Sequence, residues 1–353
     1  MRIVAAEHVG ETRCAVMEGD RPVELHLERW SERGGRAVRG EVFRARVTRI
    51  EAALNGAFCD LGRGPQGFLP FGKVRPEGLH EGAGIGVQIA REAFQDKGPS
   101  LHLFEVEPGP APETVHAAPP LPERLSLAYE APVRTEKEAE INLDPLFEAA
   151  CEKRAPIPGG GTLIIEPTAA LTAIDVDAAG RKANAGGAKF AMALNKDAAR
   201  EAARQIRLRG IGGVVAIDFL PLKKRADQKA LEASIASAFS RDPAKVDIAP
   251  PSRFAIVELA RQRLRRALHE LQSDETGALS VETCALAALR RLEAEGRAAR
   301  AKRLVLSAGT DVADWLEADK IGWRKTMTDR LGARFALTRA DSLGARDFDV
   351  RPA

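Results

Sequence analysis

Residues 171–180 read Leu-Thr-Ala-Ile-Asp-Val-Asp-Ala-Ala-Gly, and residues 213–219 read Gly-Val-Val-Ala-Ile-Asp-Phe. Both are short apolar runs rich in β-branched residues and closed by a carboxylate, which is how buried strands read. Between them, 195–209 has helical spacing, with Asn195 or Asp197 as its cap and Gly210 as its stop. Strand, helix, strand predicts an α/β unit. Side chains at i and i+2 of an extended chain share a face, so Asp175 and Asp177 point the same way. Asp218 ends the second run. If the two strands are neighbours, three carboxylates converge at one sheet edge. Carboxylate oxygens with open water positions hold Mg²⁺ beside a phosphate. Such an ion polarises a phosphoryl oxygen and supplies hydroxide for in-line attack.

Upstream of these runs, 146–153 reads as helix and 162–167 as strand. Downstream, 226–239 reads as amphipathic helix, 245–248 as strand and 256–268 as a basic helix carrying Arg261, Arg263, Arg265 and Arg266. Arg181 and Lys182 follow the first acids; Lys223, Lys224 and Arg225 follow Asp218; Arg253 precedes the basic helix. Cations around carboxylates suit a polyanionic substrate. The plainer alternatives are acids that cap helices or face water, and a charged helix face that is simply solvated.

Ahead of this unit, 38–105 shows five or so short strands between glycine turns, which predicts a small closed barrel of OB type. It carries Phe58, Phe68 and Lys97. Aromatic rings on an OB face stack bases, and lysine meets the backbone. A phenylalanine in a barrel is more commonly core. Residues 1–37 read as a short β segment. Six prolines between 106 and 122 mark 106–143 as an irregular linker or crossover, because proline removes donors and fixes φ. Residues 144–272 form the α/β unit, and 273–353 read as a small α/β domain.

At 353 residues, the chain has room for two or three domains of about 150 residues each. Lys plus Arg is 53 and Asp plus Glu is 50, so net charge neither demands nor excludes nucleic acid, and the placement of charge has to decide. There is no 18-residue apolar run, which excludes a membrane helix. The N-terminus has no apolar stretch of signal-peptide length. Cys14, Cys59, Cys151 and Cys284 stand far apart with no CxxC pair, so neither a disulfide scaffold nor a compact zinc site is expected, and a reducing cytoplasm fits. Gly159-Gly160-Gly161 lacks the GK[ST] of a phosphate loop.

The ordered blocks LTAIDVDAAG (171–180), NKDAAREAARQIRLRGIGGVVAIDF (195–219) and SRFAIVELARQRLRR (252–266) resemble the catalytic half of the ribonuclease E/G family of bacterial endoribonucleases. VFRARVTRIEAALNGAFCDLGRGPQGFLPF (42–71) and EGAGIGVQIAREAFQDKG (81–98) are similar to that family's RNA-binding OB domain. Residues 279–353 resemble its small C-terminal domain. The resemblance implies a catalytic domain like deoxyribonuclease I, with Asp175 and Asp218 as metal ligands. The family's third residue is the asparagine of IDxN; here that position is Asp177. It implies stacking by Phe58 and Phe68, and a backbone contact by Lys97. The family's 5′-monophosphate-sensing segment and its CPxCxGxG zinc link have no counterpart, so no zinc-linked dimer is expected.

The expected function is therefore Mg²⁺-dependent hydrolysis of single-stranded RNA, with Asp175 and Asp218 on the metal and Asp177 orienting water. Phe58, Phe68 and Lys97 would hold the strand, and Arg253 would contact a phosphate. The rival from another class is an RNA-binding protein of the same family that has lost cleavage. A purely structural α/β protein leaves the acids unexplained. The sequence sets no oligomeric state.

Overall fold

A computed structural model of the chain describes residues 1–72, 78–94, 97–181 and 187–353. The chain opens with β1 (Arg2–His8), β2 (Glu11–Glu18) and β3 (Arg21–Arg29), an antiparallel meander. Next come β4 (Val42–Glu51), β5 (Gly56–Asp60), β6 (Gly67–Pro70), β7 (Gly84–Arg91) and β8 (Ser100–Leu103). These pair in the order β5-β6-β8-β7-β4, and β4 pairs again with β5. That second pairing closes a five-stranded barrel of the OB-like kind that the strand spacing predicts. β9 (Glu113–His116) pairs with the N-terminal half of β4, ahead of the part that β5 pairs with.

The stretch read as an irregular linker is structured. It holds β9, then α1 (Leu121–Tyr129), β10 (Val133–Thr135) and α2 (Glu136–Ala139). Its prolines fall where proline is tolerated: Pro120 is the N-cap of α1 and Pro122 lies in the first turn, where backbone N–H groups have no helical partner anyway. β10 pairs parallel with β1, Ile3 opposite Val133, and completes a four-stranded sheet ordered β10-β1-β2-β3. One face of that sheet buries Ile3, Cys14 and Val16 against Leu121 and Leu125 of α1. The other face buries Val4, Met17 and Leu25 against Phe147 of α3 (Asp144–Cys151) and Leu208.

The next unit contains β11 (Arg154–Pro156), β12 (Thr162–Pro167), β13 (Thr172–Asp177), α4 (Gly187–Arg209), β14 (Gly213–Asp218), α5 (Arg225–Phe239), β15 (Val246–Ile248) and β16 (Ile256–Arg261). Its six strands run β11-β12-β13-β14-β16-β15. β13 and β14 are parallel and joined through α4; the other ladders are antiparallel. Alternation decides the faces. Ile174, Val176, Val215, Ile217, Val257 and Leu259 point into one core with Ala198, Ala202, Ile206 of α4 and Leu231, Ile235 of α5. The intervening residues, Asp175 and Asp218 among them, lie on the opposite, exposed face. Gly210 ends α4 as expected, at φ +70°, a conformation that costs a residue with a Cβ strain.

Two expectations about helices are corrected. α4 begins at 187, not 195; Asn195 is buried inside it and bonds both the N–H and the carbonyl of Leu220 at 3.0 and 2.8 Å. The run 256–268 is not a helix. Val257, Leu259 and Arg261 point inward and Glu258 and Ala260 outward, a period of two, so 256–261 is a strand. A loop follows, then α6 (Leu268–Gln272).

The C-terminal part has α7 (Val281–Ala298), β17 (Leu304–Ala308), α8 (Thr310–Ala318), α9 (Trp323–Leu331), β18 (Phe335–Arg339) and β19 (Phe348–Pro352). Its three strands, ordered β18-β17-β19, share a core with Leu286, Leu289, Trp323 and Met327, into which Val9, in the turn between β1 and β2, also packs. Among the described residues, no helix is long and apolar enough to cross a membrane.

Candidate active site and nucleic-acid interface

β13 and β14 lie side by side in parallel register, and Asp175 stands directly opposite Asp218. Paired residues of neighbouring strands project on the same face. Both carboxylates are exposed, and among the described residues neither has a hydrogen bond or an ion pair. They are two like charges side by side with no protein cation between them, a pair that could hold a divalent ion together with other ligands. Asp177 is placed differently. Its Oδ1 accepts the Ala179 N–H at 2.9 Å, and Arg154 of β11 approaches Oδ2 at 3.9 Å. Among the described residues, no three His, Cys, Asp or Glu side chains gather closely enough to hold a metal ion. The acid pair, not a triad, is the feature of this face.

The cations around the pair divide in two. Lys223, Lys224 and Arg225, in the segment that follows Asp218, are exposed. Arg253 is exposed in the turn before β16, and its guanidinium lies 4.6 Å from the Phe254 ring centroid. Arg181 instead donates to Asp197 at 2.7 Å, and Lys182 falls outside the described residues. The arginines expected on a basic helix are bound internally. Arg261 makes a two-pronged contact with Asp242, both bonds 2.8 Å. Arg263 meets Glu270 at 2.9 Å, Arg265 bonds the last carbonyls of α4 at Arg207 and Leu208, and Arg266 reaches Glu32. Their partners lie within the fold, on other elements of the chain.

On the barrel, Ala57, Cys59 and Leu69 fill the interior. Phe58 and Phe68 alternate with them and are outside that core, half-buried. They are register partners with ring centroids 5.3 Å apart, tilted by 58°. That answers the question the sequence left open: these rings face outward. Gly56 permits the arrangement, because a Cβ there would collide with the Phe68 ring. The Phe68 N–H donates to the Pro99 carbonyl at 2.8 Å, and Lys97, exposed, sits two residues before that proline. Phe58 and Phe68 thus form an outward pair, and Lys97 lies in the chain just ahead of the strand that pairs with Phe68. Sequence reasoning missed Arg49, whose guanidinium lies 4.8 Å from the Phe58 ring centroid. The signal was present in the alternation of basic and apolar residues along 42–50.

Two cavities of about 460 Å³ each lie where the N-terminal sheet, α1 and the loop after β16 meet. Most of the arginines of the first are neutralised. Arg29 pairs with Glu282, Arg63 with Glu41, Arg124 with Glu28 and Arg266 with Glu32. Arg36 donates to the Ala93 carbonyl at 2.6 Å and lies 3.6 Å from Glu92. His26 lines both cavities and hydrogen-bonds Glu24 at 2.8 Å. Burial, with Arg265 nearby, holds its imidazole down at a pKa of about 4.

The structure combines a closed small barrel carrying outward aromatic rings with an α/β sheet carrying paired strand-end carboxylates. Residues 116–264 match the model of the ribonuclease E/G family. Ribonuclease E of Escherichia coli is 25% identical over 399 aligned positions, covering 76% of this chain and 37% of the relative. The chloroplastic ribonuclease E/G-like protein of Arabidopsis thaliana is 26% identical over 305, covering 78% of this chain and 30% of the relative. Ribonuclease E of a Synechocystis species is 39% identical over 131, covering 37% of this chain and 19% of the relative. Over these residues the chain is similar to the ribonuclease E/G family. The chain spans less than half the length of these relatives.

Proposed function

We propose that this chain is a Mg²⁺-dependent endoribonuclease that hydrolyses phosphodiester bonds in single-stranded RNA, with a catalytic unit of deoxyribonuclease-I type. The observation that carries the reading is the opposed register of Asp175 and Asp218 on an open sheet face. Mg²⁺ is held by one or two carboxylates together with substrate phosphates, so the pair is a sufficient protein contribution. When bound, the ion supplies polarisation of the phosphoryl group and a water of lowered pKa. Asp177, turned toward Arg154 and the Ala179 N–H, orients water beside the pair. Phe58 and Phe68 stack bases, Lys97 meets the backbone, and Arg253 takes a phosphate. Four free cysteines suit a reducing compartment such as the cytoplasm.

A second reading, RNA binding without cleavage, draws on one observation: Asp177 is an acid already engaged with Arg154. Labelled single-stranded RNA incubated with Mg²⁺ or with EDTA separates the two. Cleavage with Mg²⁺ alone is expected. Asp175→Asn and Asp218→Asn should abolish it while RNA affinity persists. Near-normal turnover in both variants at limiting Mg²⁺ overturns the site assignment. Tight RNA binding with no cleavage under any metal condition selects the second reading.

A further inference from the structure

Phe254 is an aromatic ring left in water two residues before the strand partner of Asp218. It is 65% exposed. Its place is set by the strand ladder: Ile256 is the register partner of Asp218, and the Ala255 carbonyl accepts the Phe219 N–H at 3.4 Å. Two Cα steps of about 3.8 Å from Ile256, and one strand spacing of about 4.8 Å from Asp218, keep Phe254 within about 13 Å of that acid along the backbone path.

The turn that presents the ring is rigid and strained. Pro250 and Pro251 lead into it with fixed φ. The Ser252 N–H bonds the Ile256 carbonyl at 2.8 Å, the Ala255 N–H bonds the Ser252 carbonyl at 3.0 Å, and the Phe254 N–H bonds Ser252 Oγ at 3.2 Å. Ala255 is held at φ +68°, a left-handed conformation that a residue with a Cβ adopts at a cost. The ring is not in the core that the neighbouring Val257 and Leu259 enter. Arg253 lies against the ring at 4.6 Å, and among the described residues its guanidinium has no carboxylate partner.

Resting on the endoribonuclease reading, we infer that Phe254 is a stacking platform for the RNA base of a nucleotide flanking the scissile phosphate, with Arg253 positioned to take that nucleotide's phosphate. Every base has a π-face, so the platform grips single strands without selecting a base. A rigid turn is what such a platform requires, because a ring fixed before binding loses little entropy on capture.

The test measures affinity for a short labelled single-stranded RNA in EDTA, where no cutting intervenes, for the parent, Phe254→Ala and Phe254→Trp. Phe254→Ala should weaken binding about tenfold, equivalent to about 1.4 kcal/mol, and Phe254→Trp should retain it. Circular dichroism should be unchanged in both, as the ring is exposed. Replacing single bases by abasic sites along the RNA should cost the parent affinity at one position near the cut and cost Phe254→Ala nothing there. Unchanged affinity in Phe254→Ala, or equal losses in both variants, overturns the platform whether or not the RNA is cut. A tenfold loss in Phe254→Ala with an RNA that the parent never cuts upholds the platform and removes the cleavage reading.

Discussion

Replacing Arg261 by methionine should destabilise the protein severely without touching an RNA contact. Arg261 and Asp242 have side chains only 5% and 3% exposed. The guanidinium makes two bonds to that carboxylate and a third to the Ile211 carbonyl, all 2.8 Å. It thereby ties β16 to the turn after α5 and to the start of the β14 segment. Methionine fills much of the volume but leaves Asp242 as a buried, unpaired charge. Losing one partner of a buried pair costs about 3–5 kcal/mol. With a urea dependence of about 2 kcal/mol per molar, the midpoint should fall by about 2 M. Urea titration followed by far-ultraviolet circular dichroism measures it. Arg261→Met with Asp242→Leu should recover much of the loss, because two apolar groups leave no orphaned charge. A single variant within about 1 kcal/mol of the parent, the worth of an exposed pair, would show that Arg261 is a solvated cation after all.

Phe58→Ala and Phe68→Ala should each weaken single-stranded RNA binding by about 1–3 kcal/mol with circular dichroism unchanged; a folded variant of full affinity refutes stacking. His26, held down at a pKa of about 4 against the ordinary 6.5, is a buried neutral group. The unfolded chain takes up its proton first, so stability should be full above about pH 6.5 and decline as pH falls toward 4. His26→Gln should flatten that part of the urea-midpoint profile, and an unaltered slope counts against the assignment. Cleavage should not depend on a 5′-monophosphate, because most arginines of the first cavity are already paired with glutamates or a carbonyl. Matched RNAs with 5′-hydroxyl, monophosphate and triphosphate ends should be cut alike; a preference of about tenfold, or about 1.4 kcal/mol of barrier, would reveal a pocket of another design.

The parts of the fold readable from sequence are those whose cause is local. Alternation placed Asp175 on one face of its strand, and Gly210 marked the end of α4 because only that residue type takes φ +70° cheaply. The barrel followed from short strands between turns. What failed depends on partners distant in the chain. Arg261 and Arg265 are four apart, which imitates a helix face, yet their roles come from Asp242 and the carbonyls at the end of α4. The prolines of 106–122 signalled irregularity, because nothing local shows that β10 has an open strand edge waiting on β1. The outward aim of Phe58 and Phe68 needed the strand register to settle it. Phe254 went unremarked because exposure is a property of the folded turn, not of the residue type.

The parallel pairing of β1 with β10 has a consequence for how the chain is made. Ile3 emerges from the ribosome well before its partner Val133, with the entire barrel between them. The barrel closes on itself through β4 and β5, which are near neighbours in sequence, so it can mature while the N-terminal meander still has a bare strand edge. Domains emerge at about 5–20 residues per second, so that edge stays unprotected for several seconds in each round of translation. An unpaired edge is a template for association with other chains. The polysome, more than the finished protein, is where this molecule is most exposed to misassembly.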